Sequence, residues 1–373
     1  MKRLLLNGWI MMIMGTWIHL PAQVLQEDPG HADLLNNVYI TSCYQAGFVL
    51  PEYKYFLQFV EDHVQSIGLI ISKKTTGKND WEQIYGYPEY GFSFFYSTLG
   101  NDSVFGRELA VYPFFSYPIF SAARWGIFNQ IGLGLNYVNR KFDLDNNYQN
   151  IVIGSKLNLR FNFRLELRAQ VMKRGLLHTG LSFEHFSNAN MQEPNIGINS
   201  MNLYVALGYC IGELKPPGRH ELKPHSGGFC WEFTYAFGGK HTRAFQENYF
   251  ITSSGTVEIK WKPYRMFRLG AGADIFYDSS TETEMKALDL NDYRKQFDFR
   301  SGIHVSQEIM YSRVSLIIQE GIYLFLTDQV NHKTIYNRGI IRYAITDHWL
   351  VSLSMKSHLH ILDYPELGLC FRL

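Results

Sequence analysis

Leu157-Asn-Leu-Arg-Phe-Asn-Phe-Arg-Leu-Glu-Leu-Arg168 alternates apolar and polar residues without a break. Successive side chains of a β-strand point to opposite faces, so the run makes one oily face and one charged face. A strand of a soluble protein averages about 5–6 residues, whereas one crossing a bilayer at a tilt needs about 9–11. The length of this run therefore indicates a membrane barrel rather than a sandwich.

The pattern recurs along the chain. Ile131, Leu133, Leu135 and Tyr137 alternate with Gly132, Gly134 and Asn136. Phe229, Trp231, Phe233, Tyr235 and Phe237 form another row, as do Phe267, Leu269, Ala271, Ala273, Ile275 and Tyr277. Trp349, Val351, Leu353 and Met355 form a fourth, and alternation continues through Leu367-Gly-Leu-Cys-Phe-Arg-Leu373. The last strand is expected to close a barrel against the first, leaving no open edge.

Polar stretches 141–150 and 278–296 read as long extracellular loops, and Trp261-Lys-Pro-Tyr264 and Thr346-Asp-His348 as short periplasmic turns. The expected fold is all-β, an antiparallel transmembrane barrel of roughly fourteen strands, within about 12–16. Glu213–Gly227, with Pro216-Pro217-Gly218, breaks the rhythm. It reads as a linker between two small barrels or a periplasmic loop within a larger one. A single barrel over 23–373 is the expectation, because no shift in composition marks a second start.

Composition agrees with a membrane setting. Charged residues are 18% of the chain, below the ~25% of ordinary soluble domains. The net charge of +1 calls for no nucleic acid. Lys2 and Arg3 precede a mainly apolar run from Leu4 to Trp17, and Leu20-Pro-Ala22 offers a small-residue cleavage site. Residues 1–22 thus read as a secretory signal peptide, the run being short of the ~20 apolar residues of an anchor. No later segment of membrane-helix length lacks charges, so insertion must be by strands, and a Gram-negative outer membrane is the expected location. Cys210 and Cys230 flank the long connection and are candidates for a disulfide in an oxidising compartment, the alternative being four unpaired thiols. No histidine, cysteine and carboxylate spacing suggests a metal or cofactor.

Chemistry gathers in Leu181-Ser-Phe-Glu-His-Phe-Ser-Asn188, followed by Pro194-Asn-Ile-Gly197 and Asn199. On a strand, Leu181, Phe183, His185 and Ser187 share one face, with the His185 and Ser187 Cβ atoms roughly 6–7 Å apart. An imidazole within reach of a hydroxyl is what a serine nucleophile needs. If a hairpin surrounds the loop 188–198, Asn199 shares that face and can hold the other ring nitrogen. Asn188 and Asn195 carry amide donors for a developing oxyanion, and Gly197 permits close backbone approach. Glu184 points to the opposite face.

His-x-Ser-Asn followed by Pro-Asn-x-Gly resembles the active-site segment of the lipid A 3-O-deacylases, the PagL family of outer-membrane barrels. The resemblance is close over 181–199 and looser over about 47–211. Beyond it, about 228–373 reads as a C-terminal barrel extension, and the whole chain looks more like the longer proteins often named acyloxyacyl hydrolases. The resemblance implies His185 as base, Ser187 as nucleophile and Asn195 at the oxyanion. It further implies lipid A of lipopolysaccharide as substrate. The family's third residue is Glu, and the matching position here is Asn199. An Asn can orient a His but not stabilise an imidazolium by charge, so activity is expected to be weakened, or Glu193 to serve as an alternative acid. A non-catalytic porin or lipid-binding barrel, and a phospholipase-type hydrolase on the same scaffold, are the rival readings. A homodimer stays open.

Overall fold

The computed structural model describes residues 35–373 except 53, 223, 243–247, 326–329, 331–332 and 360. The signal-peptide reading of residues 1–22 lies outside them. Eight strands come first: β1 Val38–Leu50, β2 Val64–Lys74, β3 Glu89–Thr98, β4 Arg107–Ser121, β5 Trp125–Val138, β6 Leu157–Met172, β7 Gly175–Ser187 and β8 Ile198–Cys210. Each pairs antiparallel with its neighbour, and β8 returns to β1 in register from Leu50↔Asn199 to Tyr39↔Cys210, closing a barrel. Eight more follow: β9 Phe229–His241, β10 Tyr249–Tyr264, β11 Phe267–Asp278, β12 Phe299–Tyr311, β13 Val314–Leu324, β14 Ile335–Ala344, β15 Trp349–His358 and β16 Ile361–Arg372. They close separately, β16 on β9 from Arg372↔Glu232 to Glu366↔Gly238.

The expectation of one barrel of about fourteen strands is thereby corrected to two barrels of eight. Once β8 has bonded β1, no edge of the first sheet remains for β9, and the last strand closes on β9 rather than on the first strand. Glu213–Gly227 is the linker. Composition does not shift across it because both barrels meet the same surroundings, oil outside and packed polar groups inside.

Burial follows the pleat. Along β6 the apolar residues face outward and Asn158, Arg160, Asn162, Arg164, Glu166 and Arg168 are buried in the lumen. The connections 122–124, 173–174, 265–266 and 312–313 are short and lie at one end, with long ones such as 139–156 and 279–298 at the other. Short turns mark the periplasmic side. Trp261–Tyr264, expected as such a turn, instead completes β10 across a register irregularity, and Arg265-Met266 makes the turn. Besides the linker, one periplasmic connection is long, 75–88, and carries a short helix, α1 Asp80–Ile84.

Both lumens are packed with ion pairs. In the first, Arg160 lies between Glu108 and Glu184, Arg168 pairs with Glu89 and Glu166 at 2.7 and 2.6 Å, and the Arg164 guanidinium stacks 3.8 Å over the Tyr204 ring. In the second, Lys260 joins Glu232 and Glu308 at 2.9 and 2.8 Å, and Lys240 joins Asp278, Glu284 and Asp363. Breaking one buried pair leaves an uncompensated charge costing about 3–5 kcal/mol. Arg160→Leu strands two carboxylates together, so the heat-induced gel shift of the folded barrel should move to markedly lower temperature. A midpoint unchanged from wild type would show that the pairing contributes nothing. Cys43, Cys210, Cys230 and Cys370 are all unbridged, which corrects the disulfide candidate; the Cys210 thiol instead approaches the Gly212 carbonyl at 3.5 Å.

Candidate active site

The β7–β8 hairpin brings His185, Ser187 and Asn199 to one place. Its register pairs His185 directly with Asn199 and Phe186 with Ile198, so the two polar side chains share the outward face. On the other side β6 pairs Phe161 with His185 and Leu159 with Ser187. His185, Ser187 and Asn199 are all half-buried, while Leu181 and Leu203, further down the same wall, are 50% and 67% exposed. The polar trio therefore sits in an apolar belt near the extracellular rim. Glu184 points inward, as expected, and holds Arg160 and Gln45.

The imidazole is held at both nitrogens. Nδ1 lies 2.7 Å from Asn199 Oδ1 and Nε2 lies 3.2 Å from Ser187 Oγ. A carbonyl oxygen can only accept, so Nδ1–H donates to Asn199 and Nε2 is left to accept the Ser187 proton. Asn199 thus selects the tautomer a general base needs.

Hydrogen bonds within the connecting loop order it beside the trio. Asn195 Oδ1 accepts from the Asn188 amide N–H at 2.8 Å, which fixes the Asn195 side chain and leaves its Nδ2 as the donor end. Asn188, expected as a second oxyanion donor, has its side chain turned back onto the loop: its Nδ2 donates one N–H to Gln192 O at 2.6 Å and its Oδ1 accepts from Gln192 N at 3.2 Å. It shapes the loop. Glu193 is no alternative partner for His185, whose nitrogens are both taken; its Oε2 accepts from the Asn195 N–H at 3.1 Å. Burial pushes the Glu193 carboxyl up from its usual value, against the opposing pull of that N–H and of His241.

Gly197 has φ +78°, and a Cβ there would lie 2.7 Å from Phe186 O and 3.1 Å from both His185 Cε1 and Ser187 Cβ. Close approach is needed, as expected, and it is to the His185 ring and the Ser187 side chain themselves. The Gly197 N–H is spent on Val152 O at 3.0 Å.

Two supports were missed in the sequence. Gly154, in the β5–β6 loop, is packed so tightly that a Cβ would lie 2.7 Å from Pro194 O. The second barrel touches the loop: Asn190 Nδ2 donates to Asp363 O at 2.8 Å, and His241 N donates to Asn190 O at 3.3 Å. A glycine in a loop gives a faint signal of close packing. Nothing in the sequence signals a contact across the linker.

Closed antiparallel barrels with an oily outer belt and a charged, packed interior define an outer-membrane β-barrel protein. Residues 65–208 match the family described as lipid A 3-O-deacylase (PagL), and residues 229–373 match the acyloxyacyl hydrolase C-terminal domain. The chain belongs to the lipid A 3-O-deacylase (PagL) family. The two matches fall one on each barrel. No curated protein matches the chain. Among solved structures it is similar to the outer-membrane enzyme PagL, at 19% identity and TM-score 0.33 over 44% of this chain and 97% of that one. It is also similar to the NanC porin, at 7% identity and TM-score 0.16 over 90% and 97%. Omp33 of Acinetobacter baumannii gives 8% identity and TM-score 0.17 over 91% and 98%. At such scores none of these likenesses bears on function.

Proposed function

We propose that the protein is an outer-membrane esterase that removes the ester-linked 3-hydroxyacyl chain from position 3 of lipid A, with the chemistry in the first barrel. The observation that carries this reading is the imidazole–hydroxyl pair on the outward wall, tautomer set by Asn199, at the level of the outer leaflet that holds lipopolysaccharide. Family membership supports an ester hydrolase acting on that lipid.

Ser187 Oγ attacks the acyl carbonyl carbon while its proton passes to His185 Nε2. The carbonyl oxygen becomes an oxyanion, toward which Asn195 Nδ2 donates. Collapse breaks the ester bond, and the imidazolium returns its proton to the departing sugar oxygen. Water, deprotonated by His185, then releases the fatty acid from Ser187. Asn188 acts by positioning Asn195.

Purified protein mixed with lipopolysaccharide should yield lipid A lighter by one 3-hydroxyacyl group in mass spectra. Release of fatty acid from phospholipids but not from lipid A would transfer the reading to a phospholipase. The porin alternative fits poorly with lumens in which Arg160, Arg164, Lys260 and Lys356 are 0% exposed, since a water-filled channel leaves its lining charges wet.

Asn199→Asp tests the third position. Asp keeps the size and the acceptor at Nδ1 but adds a charge that stabilises the imidazolium. The acid limb of the pH–rate profile should move to higher pH by about one unit, and kcat should rise about tenfold. A profile that stays in place would show that Asn199 does not govern His185.

A further inference from the structure

We propose that the periplasmic end of the molecule, where the first barrel's long 75–88 connection meets the second barrel, binds an anionic phospholipid of the inner leaflet. Two spaces join there. One is a cavity of about 710 Å³ at the periplasmic mouth of the second barrel. It is bordered by the 265–266, 312–313 and 345–348 turns, by α1 with the residues before it, and by linker residues His220 and Glu221. The other is a groove of about 480 Å³, lined chiefly by apolar side chains such as Ile84, Tyr264, Phe267 and Ile309. Arg265 and Met266 line both, so charged cavity and apolar groove are continuous.

The cavity wall is cationic. Arg268 and Arg372 lean on lumen acids, Glu308 and Glu232. Lys262 and Arg265, among the described residues, form no ion pair, although both line the cavity. Three acids line the wall, Asp80, Glu221 and Asp347, against six lysines and arginines, and Asp80 is bonded to His220 at 2.8 Å. A pair of uncommitted cations beside a low-dielectric wall attracts a phosphate. The groove faces outward: Tyr264 and Ile309 are 70% and 41% exposed on the side a barrel turns to acyl chains.

The occupant follows from that juxtaposition. A free phosphate uses only the cavity and leaves the groove empty; a zwitterionic lipid brings its own cation against Lys262 and Arg265. A lipid with a net-negative phosphate head and acyl chains fits both parts. The site lies at the opposite end from Ser187, so lipopolysaccharide in the outer leaflet does not reach it. The 75–88 connection, long where the other turns within each barrel at this end are short, lines the cavity and supplies Ile84 to the groove. The contact between barrels there is direct: the Tyr85 hydroxyl donates to Met310 O at 3.0 Å, and the Phe115 and Tyr311 rings lie 4.5 Å apart.

The test uses the full chain in a neutral detergent, titrated with phosphatidylglycerol or phosphatidylcholine and followed by native mass spectrometry. Phosphatidylglycerol should bind at least about tenfold more tightly than phosphatidylcholine, and Lys262→Glu with Arg265→Glu should weaken it by about tenfold or more. Lys262→Arg with Arg265→Lys should retain binding, and heat-induced gel shifts confirm that both doubles fold. Equal binding of the two lipids, or no loss in the charge-reversed double, would overturn the proposal. So would displacement of the lipid by millimolar inorganic phosphate, which would mark a site for the free anion.

Discussion

Ser187→Ala should lower kcat on lipid A by on the order of 10⁴-fold or more, the loss seen when a serine nucleophile is removed from a His-activated site. The barrel should be unaffected, because Ser187 lies on the outer wall at the last position of β7 and its hydroxyl bonds only to His185 among the contacts described. The second half of the expectation is sharper. His185→Ala should cost a similar factor, and the double substitution should cost no more than either single one, since the two groups act as one unit. The measurement is the rate of lipid A conversion by mass spectrometry, with heat-induced gel shifts as the control for folding. Lipid A conversion by Ser187→Ala at the wild-type rate would remove the nucleophile and with it the mechanism. Multiplying losses in the double would mean that the two residues act separately.

Gly197→Ala is the second large effect expected. The left-handed backbone at φ +78° disfavours any Cβ by about 1–2 kcal/mol. The steric part matters more. The new methyl would press at 2.7 Å on the Phe186 carbonyl, which is strand backbone and cannot swing aside, and at 3.1 Å on His185 Cε1 and Ser187 Cβ. Shifting either group by about 1 Å is enough to cost roughly 10²-fold in rate. The loss should appear in kcat, with KM much less changed, because the exposed apolar wall of Leu181, Leu203 and their neighbours is untouched. A variant that keeps full kcat would show that the hairpin end relaxes without moving the pair.

The contrast between what the sequence revealed and what it hid has a physical origin. Period-two alternation placed His185, Ser187 and Asn199 together because a strand face and a hairpin register are local properties, decided within fifteen or so residues. The direction of the face was legible too, since Leu181, Phe183 and Leu203 share it. The loop residues were harder. Asn188 has the right side chain for an oxyanion donor, but whether an amide turns to the substrate or back to Gln192 depends on how the loop folds upon itself. Glu193 could be reached by counting along the chain, yet its carboxylate is committed to the Asn195 N–H. The number of barrels was hidden for a different reason. Which strand β8 or β16 selects as its second partner is a long-range choice, and both barrels present the same alternation to the same surroundings. Cys210 and Cys230 sat on either side of the linker, but separate closure of the two sheets gave them different barrels.

The outward placement of Ser187 and His185 has a kinetic corollary. An enzyme whose hydroxyl opens sideways meets its substrate by lateral diffusion, so the quantity it senses is molecules per unit area of film. Diluting lipopolysaccharide with inert detergent at constant bulk concentration should slow turnover, and crowding it into fewer micelles should restore the rate.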